Sequence, residues 1–148
     1  MQGIEALAQR LRTQGGKVTS QRMLIWGALA GDQSHPSAED LFARLKPMLP
    51  GLSLATLYHA LNELVEWGEV RRFDAGDGHI HYDPDLTPHA ELVCLRCHAI
   101  VDAHEVPQVD TLPREIGGYR ILMRSEQYYG YCPACRAALA HTPGALVQ

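Results

Sequence analysis

The sequence predicts an α+β protein: a winged helix-turn-helix unit followed by a small α+β unit built around a four-cysteine metal site. Three observations predict it. Apolar residues recur at helical spacing through roughly the first seventy residues. Two short strand-like runs flank the turn residues "AGDG" just after them. Two Cys-x-x-Cys turns, Cys94/Cys97 and Cys132/Cys135, then mark the remainder.

Each element follows in order. Ile4, Leu7, Ala8 and Leu11 repeat as one helical face, and "QGGK" breaks the pattern. Ser20 is the expected N-cap of a second helix carrying Met23, Leu24, Ala28 and Leu29. Ser37 is the expected cap of the third, with Glu39 and Asp40 in its first turn beside the N-terminal dipole. Ser53 is expected to cap the fourth, "LATLYHALNELVEWG", which Gly68 ends. Leu54, Leu57, Leu61 and Leu64 form its apolar arc, and Ala55, Tyr58, His59 and Asn62 its outward face. Val70–Phe73 and His79–Tyr82 read as a hairpin. "PDLTP", with two prolines in five residues, reads as a linker. The domains expected are therefore 1–83, a hinge at 84–88, and 89–148. In the second, "ELVCL" and "AIVDAHEV" read as strands, "QVDTLPREIG" as a helix interrupted or begun near Pro113, "YRILMRSEQYYGYC" as one long strand and "PACRAALAH" as a short helix.

Composition narrows the function. The 148 residues are 46% hydrophobic and 20% charged, as in soluble globular proteins. No apolar run nears the roughly 20 residues a membrane span needs. "MQGIEALAQRLRTQGG" lacks the apolar core of a signal peptide, so a cytoplasmic protein without a membrane partner is expected. The formal net charge of −4 argues mildly against nucleic acid. Up to Asp83 there are 8 Lys+Arg against 10 Asp+Glu, and after it 5 against 7, so neither half is basic. Any DNA contact must rest on local placement of charge.

Two Cys-x-x-Cys turns supply four thiolates, enough to close a tetrahedron around Zn²⁺ with bonds of about 2.3 Å. A unit of about 60 residues buries little core, so structural zinc at Cys94, Cys97, Cys132 and Cys135 would add folding energy. Redox-active or simply buried cysteines, or a rubredoxin-like iron site, are the competing readings. A closed shell of four thiolates leaves no position for substrate. Histidine is abundant, at eight residues, and "HAELVCLRCHAIVDAHEV" holds two cysteines, three histidines and three carboxylates. His35, Asp83, His89, Glu91 and Asp102 remain as a nitrogen/oxygen set, together with His79, His81 and His104. Such ligands suit Fe²⁺, Mn²⁺, Zn²⁺ or Co²⁺. The bland alternative is a solvated acidic face with capping histidines.

"KVTSQRMLIWGAL", "HPSAEDLF", "SLATLYHALNELVEWGEV", "CLRCHAIVDAHEV" and "YYGYCPAC" stand in the order and spacing of the ferric uptake regulator family, which the chain resembles from about residue 5 to 137. The resemblance implies a homodimeric, metal-dependent repressor whose N-terminal winged helix binds DNA and whose C-terminal domain dimerises. It implies structural zinc at the four cysteines and a regulatory Mn²⁺ or Fe²⁺ site between the domains at His35, Asp83, His89, Glu91 and Asp102. Glu91 departs from the histidine usual there; it makes the set three carboxylates and two imidazoles, which favours a hard cation. His81 or His104 is the possible substitute ligand. Zinc-uptake members tend to carry cysteine where Asp83 stands, and Asp102 is similar to the peroxide-sensing branch. A further metal site of some members is missing its ligands at Pro88, Ala90 and Arg124.

A dimeric winged helix reads a palindromic site in double-stranded DNA with its recognition helix. Tyr58, His59 and Asn62 are the outward candidates, with Ser53 and Thr56 near phosphates at the helix start. The resemblance implies a base contact by Tyr58, a minor-groove approach by Lys17, and a weaker phosphate attraction at His59, where arginine is usual. Arg22, Arg71 and Arg72 are further phosphate candidates. Two other functions compete: a metal hydrolase with Glu91 or Glu105 as base, and a thiol oxidoreductase through Cys94/Cys97. The first needs an open coordination position and a substrate pocket, the second a low-pKa thiolate. Neither a nucleophile elbow nor a phosphate loop is present, and a non-enzymatic regulator is expected.

Overall fold

A computed structural model of the chain describes residues 3–13, 17–106, 111–121 and 124–140, the last without its side chain. The chain divides into two compact units, 1–87 and 88–148.

The first unit runs α1 (Ile4–Thr13), α2 (Ser20–Leu29), α3 (Ala38–Leu45), α4 (Leu54–Glu66), β1 (Arg71–Asp74) and β2 (Ile80–Asp83). Side-chain hydroxyls start three of the helices. Thr19, Ser37 and Ser53 each accept the backbone N–H three residues on, from Arg22, Asp40 and Thr56. At α3 the bond is reciprocal, since the Asp40 carboxylate accepts the Ser37 N–H at 3.0 Å. The cap of α2 is thus Thr19 rather than Ser20, which becomes the first helical residue. Adjacent hydroxyls made the two indistinguishable in sequence. The buried face of α2 also differs from expectation: Ile25, Trp26 and Leu29 are buried, and Leu24 is exposed. "MLIWGAL" is apolar on every side, so no periodic contrast marks its inner face.

In α4, Leu57, Ala60, Leu61 and Leu64 are buried, whereas Leu54 is half-buried at the first turn. The helix ends in a Schellman motif: Gly68 takes φ +68°, its N–H reaches the Val65 carbonyl at 3.0 Å, and the Glu69 N–H reaches Leu64 at 2.9 Å. The core of this unit joins these side chains to Leu7, Leu11, Leu41, Leu45, Leu52, Val70 and Tyr82. β1 and β2 pair antiparallel from Arg71↔Asp83 to Asp74↔Ile80, one residue later than expected on each strand. Asp85 and Thr87, expected in a hinge, are fastened to the first unit: the Arg71 guanidinium donates to the Asp85 carbonyl at 2.7 Å and the Thr87 carbonyl at 3.2 Å.

The second unit contains β3 (Ala90–Cys94), β4 (Ile100–Ala103), β5 (Glu115–Ile116), β6 (Tyr119–Arg120), β7 (Gln127–Gly130) and α5 (Pro133–Ala140). Its sheet has the order β4-β3-β7, antiparallel on one side and parallel on the other. The helix expected over Gln108–Gly117 is not found in its described part. Residues 107–110 lie outside the described residues, and Glu115–Ile116 pairs with Tyr119–Arg120 as a hairpin. Gly117 and Gly118, both at positive φ, form the two-residue turn, a backbone that glycine adopts without steric cost. The long strand expected over 119–132 is split, with only 119–120 and 127–130 paired in the described residues. Pro133 opens α5 at the one helical position where its missing N–H costs nothing.

Candidate metal centres and nucleic-acid interface

Parallel pairing of β3 with β7 aligns Cys94 with Gly130, so both Cys-x-x-Cys turns leave the same end of the sheet. One sulfur from each of Cys94, Cys97, Cys132 and Cys135 lies within 4.8 Å of every other. The Cys97–Cys132 Sγ separation is 3.8 Å. Sulfurs at about 2.3 Å from one zinc ion stand about 3.8 Å apart along a tetrahedral edge, so the donors fit Zn²⁺ in spacing and type. Backbone N–H groups point at the sulfurs: Cys132 N to Cys94 Sγ at 3.3 Å and Cys135 N to Cys132 Sγ at 3.4 Å. N–H donors from Cys132, Cys97 and Arg96 lower the Cys94 thiol to about 6. Hydrogen bonding to Cys132 pushes Cys135 up to about 12. Thiolates this close cannot all ionise without a cation among them.

The nitrogen/oxygen residues divide between the units. In the second, the β3–β4 register sets Glu91 opposite Asp102. His89 and His104 extend the same face by the alternation of side chains along each strand. His89 is buried, and its Nε2 lies 3.0 Å from Glu91 Oε1 and 3.6 Å from Asp102 Oδ1. The exposed His104 ring sits 5.1 Å from that of His89. In the first unit, His35 and Asp83 are buried, with a ring nitrogen and a carboxylate oxygen within 4.8 Å of each other. His35 holds an unusual φ of +49° and packs edge-on against Phe73.

His81 does not fit the role of substitute ligand. Its Nδ1 lies 2.6 Å from the His35 carbonyl and its Nε2 2.9 Å from Asp77 Oδ2, so both nitrogens are engaged. It buttresses the loop that carries His35 instead. His79 is exposed and lies 3.4 Å from Glu39.

Of the DNA candidates, Lys17, Ser53, Thr56, His59 and Arg72 are exposed, and Arg22, Tyr58 and Asn62 are partly so. Several are already engaged. The Tyr58 hydroxyl donates to Glu39 at 2.8 Å, which raises its pKa to about 12. Arg22 meets Glu63 at 2.5 Å, and Arg72 reaches Asn62 at 3.4 Å. Arg71 departs from its expected phosphate role: its guanidinium faces Asp83 at 3.0 Å, since the strand register sets the two residues opposite each other. Sequence reasoning missed Glu39, Glu63 and Asp77 as partners. Only His59/Glu63, four residues apart on α4, carried a local signal; Asp77 and His81 meet across the β1–β2 turn.

Known proteins agree with this architecture. The sequence profile of the ferric uptake regulator family matches residues 13–123. The "Peroxide operon regulator" of Bacillus subtilis is 31% identical over 133 residues, spanning 88% of this chain and 91% of that one. The solved PerR of Streptococcus pyogenes, described in terms of peroxide sensing and gene regulation, is 28% identical with a TM-score of 0.54, covering 91% of this chain and 94% of its own. The ferric uptake regulator of Pseudomonas aeruginosa, solved with manganese, is 25% identical with a TM-score of 0.61 over 85% and 97%. With its helical N-terminal unit, its β-hairpin and its clustered cysteines, the chain belongs to the ferric uptake regulator family of metal-dependent transcriptional repressors.

Proposed function

We propose that this regulator is a cytoplasmic homodimer that binds a palindromic operator when Mn²⁺ or Fe²⁺ is held jointly by His35, Asp83, His89, Glu91 and Asp102, with Zn²⁺ held by the four cysteines. The observation that carries it is the convergence of Glu91 and Asp102 on one imidazole nitrogen of buried His89, at 3.0 and 3.6 Å. Two carboxylates and an imidazole on one sheet face form a donor set for a divalent cation, and carboxylate-rich sets favour harder ions. His35 and Asp83 contribute the same donor types from the first unit. Manganese in the Pseudomonas aeruginosa relative supports the choice of ion.

A cation at this set supplies the positive charge that lets the carboxylates approach one another without repulsion. Asp83 and His89 lie on either side of the unit boundary at 87/88, so ligation by both favours one relative orientation. Moving such an equilibrium from about 1:99 to 99:1 takes roughly 5.5 kcal/mol of differential affinity. Dimer formation is supported by an apolar row. Val101, Leu92 and Tyr128 are register partners across β4, β3 and β7, and all are exposed on the face opposite Glu91 and Asp102. Tyr58 and Asn62 of α4 are the base-facing candidates, with His59 on the same outward face, Lys17 toward the minor groove, and Arg22, Arg72, Ser53 and Thr56 toward phosphates. Regulation rather than catalysis is supported by the regulator relatives.

Peroxide sensing is the second reading, favoured by the peroxide-responsive relatives. One experiment separates them. An operator selected from a random duplex library is titrated with zinc-loaded protein stripped of other metal, adding Mn²⁺, Fe²⁺ or Zn²⁺ with and without peroxide. Tight binding with Mn²⁺ and Fe²⁺ that survives peroxide supports metal-uptake control. Loss of binding only in the Fe²⁺ arm, with an added oxygen on a His35 or His89 peptide by mass spectrometry, supports peroxide sensing. Metal-independent binding defeats both.

A further inference from the structure

Cationic groups are scarce where α4 would meet DNA. The first unit has fewer basic than acidic residues, and Arg71 is committed to Asp83. Two of the remaining DNA candidates share one carboxylate oxygen. Glu63 Oε1 lies 2.5 Å from Arg22 Nη2 and 3.6 Å from His59 Nε2. Arg22 Nη1 donates to the Lys17 carbonyl at 2.6 Å, so the guanidinium is held at both ends by oxygen acceptors. These groups stand at the solvent boundary of the helix face: the His59 side chain is 73% exposed and that of Glu63 17%. The second carboxylate oxygen, Oε2, is closed off from solvent and takes no hydrogen bond among the described residues. The ion pair is therefore monodentate, not the two-pronged fork that makes Arg–carboxylate pairs strong.

We propose that Glu63 limits the protein's affinity for DNA as an internal stand-in for a DNA phosphate that holds Arg22, beside His59, in the free protein. Duplex DNA must displace it to gain the Arg22 guanidinium. The carboxylate thereby weakens binding to any sequence, because binding without base readout depends almost wholly on phosphate neutralisation. Operator recognition is left to depend more on base-edge contacts. The inference rests on α4 being the DNA-reading helix.

The test uses full-length protein with Mn²⁺ and a labelled duplex of mixed sequence, with anisotropy followed over a range of salt. In Glu63→Gln, the gain of one phosphate contact steepens the slope of log K against log salt by about 0.9 and tightens binding roughly eightfold near 0.1 M salt. The gain disappears when Glu63→Gln is made in an Arg22→Gln background. Unchanged or weaker binding by a Glu63→Gln protein that melts like wild type overturns the proposal, because Glu63 then only braces Arg22. If Glu63→Gln melts below the assay temperature, Glu63→Asp carries the same comparison, with a smaller gain expected and none overturning the proposal. Wild-type protein that binds no duplex even at low salt overturns the DNA reading of α4 as well.

Discussion

At His89, two carboxylates meet one imidazole nitrogen on a buried face of the β3–β4 ladder. Replacing His89 by alanine takes away the shared donor and leaves Glu91 and Asp102 facing each other across the register. The four sulfurs lie at the far end of β3 and are untouched. His89→Ala is therefore expected to fold and to keep one zinc per chain, while Mn²⁺ affinity falls by more than the roughly 10–100-fold lost with outer-sphere partners. Calorimetric Mn²⁺ titration beside zinc quantitation checks both halves. Wild-type metal response in this variant would refute the ligand assignment. His81 illustrates why counting histidines is not enough: its two ring nitrogens are spent on the His35 carbonyl and Asp77.

At the scale of elements, the termini of α3 and α4 carry the sharpest expectations. Ser37 and Asp40 exchange hydrogen bonds around the start of α3. Ser37→Ala removes the cap and should cost about 1 kcal/mol in urea unfolding. Hydrogen bonds from the Ser37 hydroxyl and N–H hold the Asp40 carboxyl below its ordinary value. The folded pKa is depressed, so this stabilisation is present above the unfolded value of about 3.9 and is lost as pH falls through the folded one. The variant keeps only the N–H bond, and its stability should fall less steeply with acid than that of wild type. Gly68, at φ +68°, has open space where a Cβ would stand. Gly68→Ala therefore tests conformation alone, and about 1 kcal/mol of destabilisation is expected by thermal melting.

Across the whole molecule, the two units are held together internally by different means. Among the described residues, the first buries a broad apolar core from Leu7 to Tyr82. Among its described apolar residues, the second buries only Ala90, Val93, Cys94 and Ala103. Burial at roughly 25 cal/mol per Å² cannot order so small a core alone, and the sulfur cluster, together with the apolar face proposed to dimerise, supplies the difference. Stripping zinc with a thiol-reactive chelator should expose the 88–140 segment to limited proteolysis while residues 3–83 keep their helical circular dichroism. Equal loss of both units would show that the first depends on the second. Acid should act in the same direction as chelation, because protons compete with zinc for the four thiolates.

Much of this was legible in the chain because the interactions involved are local. Caps lie three residues from the N–H they receive, Cys-x-x-Cys turns close within four residues, and a helix-ending glycine needs only its own φ. The order and spacing of whole motifs carried the family. The Gly117–Gly118 hairpin was equally local and was overlooked in favour of a helix. Other features had no local signature. The inner face of α2 is chosen by what packs on it, because its residues are apolar all round. Arg22 meets Glu63 across 41 residues, and Arg71 turns to Asp83 because a strand register aligns them. Short-range chemistry wrote the elements and the cysteine centre into the sequence; only tertiary packing decided which charged groups neutralise one another, since Coulomb partners are set by distance in space and not along the chain.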